Sequence, residues 1–331
     1  MKKYLLFFAI LIAYGCTESD LTFNPVVANS DGAPELVQTF GGSKNDVAKS
    51  VVATSDGGFA VLGYTQSMDG DVIGKTTENY DFWVLKFNSD ALLEWNKTYG
   101  GSGDDRGNSL IETSDGGFAL LGYSDSVDGD VTTNNGNRDF WVVKIDAFGA
   151  LTWQKSFGYA GADEGMSIIE TSDNHFILSG VLDVTASGGE GNFGRFSTRH
   201  AGGDYWSIKI TQTGDVVWSR FYGGSFTDNP AGVVENASNN LITVGGSDSN
   251  DVDITNNKGS YDFWVVKSTA NGDIVWEKSF GGSEIDEARG IISSGDGNHV
   301  IVGDTRSSEQ DVSLNNGAAD LWLIKISGDG D

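Results

Sequence analysis

Apolar and polar positions along the chain fall into short strand-length runs, separated by turns rich in Gly, Asp, Ser and Asn. One stretch shows the pattern in full. Arg106 to Thr113 alternates small with longer side chains, and Phe118 to Gly122 is apolar. Asp139 to Ile145 is aromatic and β-branched, and Leu151 to Phe157 follows a short turn. Residue types that suit a pleated, half-buried surface predict four strands, a to d. Ser114-Asp115-Gly116-Gly117 between a and b is a tight turn, because glycine there permits positive φ. Asp146 to Ala150 is the c–d turn, and residues 123–138 form a longer b–c loop.

This unit recurs. Phe40-Gly41-Gly42-Ser43 returns as Tyr99-Gly100-Gly101-Ser102, Tyr222-Gly223-Gly224-Ser225 and Phe280-Gly281-Gly282-Ser283, with Phe157-Gly158-Tyr159-Ala160 as a degenerate copy. An aspartate follows each: Asp46, Asp105, Asp163, Asp228, Asp286. Strand c carries Asp-x-Trp-x-x-Lys, with Trp83, Trp141, Trp206, Trp264 and Trp322 at its centre. Strand d carries a second set, Trp95, Trp153, Trp218 and Trp276. The strand-c tryptophans are spaced by 58, 65, 58 and 58 residues. Four strands per period of this length predict an all-β fold, a β-propeller of five blades with four antiparallel strands each. The blades start near residues 41, 100, 158, 223 and 281.

The spacing shows where the unit tolerates change. From the first Asp to the strand-b Gly (Gly63, Gly122, Gly180, Gly245, Gly303) the offset is always 17, and from the strand-c Asp to the next repeat's first Gly it is always 19. Only the b–c loops vary: 18, 17, 24, 17 and 17. Alternating strand direction puts these loops on the same face as the early aspartates. The fifth copy runs to Lys325-Ile326 without a second Trp, and Leu36-Val37-Gln38-Thr39-Phe40 aligns with Trp95-Asn96-Lys97-Thr98-Tyr99. The N-terminal strand is therefore expected to complete the last blade and remove the open edge, making residues 36–331 one domain.

Lys2 and Lys3 precede a short apolar run from Tyr4 to Ile12, which reads as a secretory signal over residues 1–15. Ala13-Tyr14-Gly15-Cys16 resembles the lipobox of bacterial lipoproteins. The resemblance implies cleavage before Cys16 and lipid, palmitate included, on that cysteine. Residues 17–35 then form a polar tether, and the protein is expected to be exported and anchored on the outer membrane, facing outward or into the periplasm. Cys16 is the only cysteine, so no disulfide or Cys-metal site lies in the domain.

The c–d hairpin, Lys144 to Trp153, resembles the tryptophan-docking hairpin of quinoprotein-type propellers, in which the late Trp packs onto the adjacent blade. The whole unit is similar to repeats in secreted and lipid-anchored bacterial propellers, some labelled bulb-type lectin and most of unknown activity. That resemblance speaks to architecture and hardly to function.

Composition narrows the partners. The chain has 47 acidic against 21 basic residues, a formal charge of −26, which repels phosphate backbones and argues against nucleic acid. Aromatic residues at 11% argue against disorder. Two acidic sets are candidates for holding Ca²⁺ with oxygen ligands. One is the ring of early aspartates, Asp46, Asp105, Asp163, Asp228 and Asp286. The other is the b–c loop set, Asp69/Asp71, Asp128/Asp130 and Asp251/Asp253, with Asp311 in the fifth copy. The alternative for the first set is acceptance of backbone N–H groups in the Gly-rich turn, or pairing with a strand-c Lys such as Lys86; for the second it is Asx-turn chemistry. The third b–c loop, 183–203, lacks the Asp-Gly-Asp element and brings Arg195, Arg199 and His200 among glycines and aromatics. It could grip a carboxylated or sugar ligand, or be a drifted insertion. The tryptophans read as blade staples. No His cluster, Ser-His-Asp order or Gly-x-Ser-x-Gly element is present. The expected role is binding or scaffolding through an acidic loop face, with a carbohydrate-binding or carbohydrate-active propeller and an accessory subunit of an outer-membrane complex as alternatives.

Overall fold

The computed structural model describes residues 37–192 and 200–331. Cys16, the tether, Leu36, Arg195 and Arg199 lie outside the described residues.

The chain folds into five consecutive antiparallel sheets. Sheet one holds β1 (Asp46–Ala53), β2 (Phe59–Thr65), β3 (Asp81–Phe87) and β4 (Leu93–Tyr99). Sheet two holds β5 (Asp105–Glu112), β6 (Phe118–Ser124), β7 (Asp139–Ile145) and β8 (Leu151–Phe157). Sheet three holds β9 (Glu164–Glu170), β10 (His175–Asp183), β11 (Gly203–Thr211) and β12 (Val216–Tyr222), with the short α1 (Val184–Ser187) after β10. Sheet four holds β13 (Asp228–Glu235), β14 (Leu241–Ser247), β15 (Asp262–Ser268) and β16 (Ile274–Phe280). Sheet five holds β17 (Asp286–Ser293), β18 (His299–Thr305) and β19 (Asp320–Ile326). Strands c and d of the second repeat match their expected bounds, and a and b differ only at their ends.

The fixed offset between the first Asp and the strand-b Gly has a steric cause. Strand a carries a bulge, as between Gly107 and Ser109. There the opposing backbone closes on strand b so far that a Cβ on Gly122 would sit 1.9 Å from the Arg106 carbonyl oxygen. Gly63, Gly180, Gly245 and Gly303 meet the same carbonyl in their own sheets, at 1.7–2.1 Å. Only glycine fits, so its distance from the Asp that starts strand a cannot drift.

Successive sheets pack face to face, and the core is divided among these interfaces, with clusters drawing on sheets one and two, two and three, three and four, and four and five. The strand-c Trp of each sheet packs on the strand-c aromatic of the sheet before it. Trp141 meets Phe82 at 4.7 Å, Trp206 meets Phe140 at 4.8 Å, Trp264 meets Tyr205 at 4.6 Å and Trp322 meets Phe263 at 4.6 Å. The strand-d Trp reaches forward, as the hairpin resemblance implies. The indole N–H of Trp95 donates to the Ala147 carbonyl at 3.2 Å, Trp153 to Gln212 at 3.0 Å and Trp218 to Ala270 at 3.0 Å, each in the next sheet's c–d turn. Sheets two and three are therefore stapled in both directions, backward by packing and forward by a hydrogen bond.

Sheet five departs from expectation. It has three strands, and residues 37–40 carry no strand. Phe40–Asp331 is one compact unit; of the preceding unit, Met1–Thr39, only residues 37–39 are described. The physical difference is local. Every other strand d follows its strand c through a short turn and carries a Trp, whereas the 36–40 segment has no Trp and lies far from β19 in sequence. The end faces are accordingly open. Leu321 is 80% exposed, although its counterparts Phe82, Phe140, Tyr205 and Phe263 are fully buried. On sheet one Val51 is 68% exposed, against 4% for its counterpart Leu110. The arrangement is propeller-like: all-β, antiparallel, repeated, with face-to-face sheets.

Candidate functional site

The repeated acidic residues converge on the Gly-Gly-Ser turn. In the first repeat four successive amides donate to four acceptors. Gly41 donates to Asp71 at 2.9 Å, Gly42 to Asp46 at 2.8 Å, Ser43 to Asp69 at 2.7 Å and Lys44 to the Ser67 hydroxyl at 3.0 Å. The second repeat does the same with Asp130, Asp105, Asp128 and Ser126. The fourth uses Asp253, Asp228, Asp251 and Ser249. The fifth uses Asp311, Asp286, Glu309 and Ser307. A run of convergent N–H groups is an anion-binding nest, and here the repeat's own carboxylates fill it. Each clamp ties a d–a turn to a b–c loop, so both loop sets do share one face.

The two acidic sets read as Ca²⁺ candidates are thus brought together, but around amides. Asp163, in the degenerate third copy, accepts from Tyr159 at 2.8 Å and from Asp183 at 2.8 Å. Among the described residues, no group of three or more His, Cys, Asp or Glu side chains is placed to hold a metal ion. The pairing of early aspartates with strand-c lysines is corrected. Those lysines sit at the other end of strand c, where four of the five reach the a–b turn (Lys86 to Asp56 at 2.8 Å, Lys144 to Asp115 at 3.0 Å, Lys209 to Asp173 at 2.7 Å, Lys325 to Asp296 at 2.5 Å), and Lys267 donates instead to the Gly328 carbonyl at 2.6 Å. The Ser-Asp-Gly-Gly motif held this partner; sequence reasoning had taken it only as a turn.

Sequence reasoning also missed a second layer of acid. The strand-c aspartates Asp81, Asp139, Asp204 and Asp262 are buried beside the next sheet's first Asp, with the first Gly of the turn wedged between. A Cβ on Gly100 would lie 2.7 Å from an Asp105 oxygen and 2.8 Å from an Asp81 oxygen. Burial pushes Asp105 up to about 7, against hydrogen bonds from Ser124, Gly101 and Ser126, and nearby Asp81 adds to the rise. Burial likewise raises Asp163 to about 7 and Asp81, Asp228 and Asp262 to about 6. These groups favour the protonated form because water is excluded and a like charge lies close.

His200 is the described member of the third-loop trio, and it is buried rather than presented to solvent. Its Nδ1 lies 2.5 Å from Asp204 Oδ2 and its Nε2 3.8 Å from Asp253 Oδ2. Burial pulls the imidazole pKa down, but the hydrogen bond and charge of Asp204, with Asp253 and Asp228, more than offset this and raise it. Burial lifts Asp204 to about 7 despite His200. At the same position sheets two, four and five use a backbone amide, from Asn135, Lys258 and Asn316, and sheet one uses the Lys75 ammonium, 3.2 Å from Asp81. His200 therefore substitutes an imidazole for a turn donor.

No protein-family model matches the chain. It is 24% identical over 203 residues to the regulatory protein FlaEY of Caulobacter vibrioides, a match covering 58% of this chain and 21% of that protein. The chain thus spans about a fifth of that relative's length. Among solved structures it is similar to a protein of unknown function from Bacteroides caccae (11% identity, 86% of this chain and 78% of that one, TM-score 0.47). A second, from Dyadobacter fermentans and also of unknown function, has 10% identity over 81% of this chain and 78% of that one, with a TM-score of 0.47.

Proposed function

We propose that this protein is an exported, lipid-anchored binding module of the cell envelope, held by Cys16 and a tether and built on a five-bladed propeller that residues 36–40 close. The observation that carries the binding reading is that the repeated carboxylates are engaged within the repeat. Carboxylates that hold turns are poorly suited to act as free acids, bases or nucleophiles, which leaves recognition by the residues that differ between repeats. Two observations support closure. The 327–331 turn makes the same hydrogen bonds, Ser327 to Asp331 and Gly330 to Ser327, that lead into strand d elsewhere. Phe40 packs on Phe87 of sheet one, as Tyr99 packs in the core of sheet two. Anchoring is tested by fractionation. The native protein should sediment with membranes and need detergent for release, and Cys16→Ser should be soluble. A native protein recovered wholly in the soluble fraction overturns it.

A further inference from the structure

The five c–d turns share one backbone shape, and four carry a polar residue at the tip: Asp90, Thr213, Asn271 and Asp329. The fifth is Phe148, 80% exposed. Its turn is rigid, because Asp146 Oδ1 accepts from the amides of Phe148 at 2.9 Å and Ala150 at 2.8 Å. Beside it, between sheets one and two, lies a cavity of about 460 Å³ lined by Phe148, Trp95, Phe118, Glu94, Glu112 and Asp56, with Lys86. At the next junction Gln212 replaces Ala147 and spans to Glu170 at 2.7 Å, filling the corresponding space. Ala147 has no such side chain, nor has Ala270 at the junction after, where the tip is Asn271 in place of Phe148.

The chemistry of the lining is specific. Trp95 and Phe148 offer aromatic surface over the buried Phe118. Lys86 is consumed by Asp56 at 2.8 Å and Glu94 at 2.9 Å. Glu112 accepts from the Ser55 amide and hydroxyl, both at 2.8 Å, and keeps further lone pairs free. Three carboxylates against one ammonium leave the lining with two net negative charges; Lys97, whose stem passes Gly149 beside Trp95, is outside it. The size suits a small ligand with an apolar face and several donors. We infer that this groove binds saccharides carrying amino sugars. The C–H face of a pyranose covers the aromatics, its hydroxyls donate to Glu94 and Glu112, and its ammonium is drawn by the acidic lining and the aromatic faces. This rests on the reading as a binding module, and it names the ligand class.

The test is calorimetric titration of the full chain, at pH 6 and fixed ionic strength, with a glucosamine tetramer, a glucose tetramer and a galacturonate tetramer. The amino-sugar probe should bind at least tenfold tighter than the glucose probe, and the galacturonate probe should not bind. Phe148→Asn removes the aromatic without adding charge and installs the tip residue that the Asn271 turn already uses, so it should keep the melting temperature while weakening glucosamine binding at least tenfold. Glu94→Gln should lower affinity for the glucosamine probe and leave the glucose probe unchanged. Binding of no probe, equal binding of the galacturonate probe, or full affinity in Phe148→Asn overturns the proposal. The anchoring test with Cys16→Ser is read separately, so failure here leaves the envelope reading standing.

Discussion

Acidification from pH 7.5 to 5.5 should stabilise this protein, against the ordinary expectation for a chain with so many carboxylates. The carboxylates between sheets drive the effect. Asp105, Asp163 and Asp204 have pKa values pushed by burial to about 7, and Asp81, Asp228 and Asp262 to about 6, from an ordinary 3.8. A carboxyl raised on folding binds its proton more tightly in the native state. Its stabilisation is complete below the unfolded value and is lost as pH rises through 6 to 7. One carboxyl held at about 7 contributes about 2 kcal/mol between pH 7.5 and 5.5, and one held at about 6 about 1 kcal/mol. The members of a pair titrate together across their glycine, so about one proton enters per junction, and the sum is on the order of 5 kcal/mol. His200, also raised, acts in the same direction. His299, lowered by burial and by Lys267, opposes with a single proton. Asp115 and Asp173, held at about 2, stay ionised across this window. Urea unfolding at pH 7.5, 6.5 and 5.5 and constant ionic strength reads the effect as a rising midpoint. Asp105→Asn should flatten the rise by roughly a quarter, its junction's share. A midpoint that stays level or falls on acidification refutes the burial argument.

Three further outcomes follow from the same geometry. Gly100→Ala should cost roughly 1–3 kcal/mol in denaturant melts, because its Cβ meets two carboxylates, while Gly295→Ala, with open space around it, should stay within about 0.5 kcal/mol. Adding a calcium chelator should leave the melting temperature unchanged, since amides already occupy the loop carboxylates; a drop of several degrees would return Ca²⁺ to those sites. Leu321→Asp should destabilise by about 2 kcal/mol or more if the ring closes over sheet five, and a change within about 0.5 kcal/mol refutes closure.

Much of the fold was legible because the repeat is written in steric rules. The fixed interval from Asp46 to Gly63 is a bulge in which a carbonyl leaves no room for a Cβ, and such a rule survives when other residues change. The strand-d tryptophans were legible for the same reason: one indole, one turn, one hydrogen bond. The acidic residues were harder. Asp69 and Asp71 at short spacing are equally compatible with a cation and with a nest of amides, because both want oxygen at close range; only the positions of the N–H groups decide. Asp81 and Asp105 are far enough apart in sequence that nothing in the pattern places them on either side of Gly100. The fifth sheet was less legible: three of its strands follow from the repeat, while matching Leu36 to Trp95 by alignment says nothing about what brings a distant segment to the edge.

A side chain present in every repeat is explained by the repeat. The three carboxylates of the four full clamps, four of the five strand-c lysines and the strand-d tryptophans of the first three sheets have partners that recur with them, so none of these needs a ligand to account for it. The residues that recognise something else should then be those whose identity breaks the pattern without a compensating internal partner. His200 breaks it but is absorbed, because Asp204 and Asp253 enclose it. Glu309 stands in for Asp251 and does the same work. Phe148 is different: it replaces a polar tip, gains no covering contact, and stands over a cavity that Ala147 leaves unfilled. An exposed aromatic held on a rigid turn beside three carboxylates gives nothing back to the fold, which is why recognition is best sought on that face and not on the acidic loops that dominate the sequence.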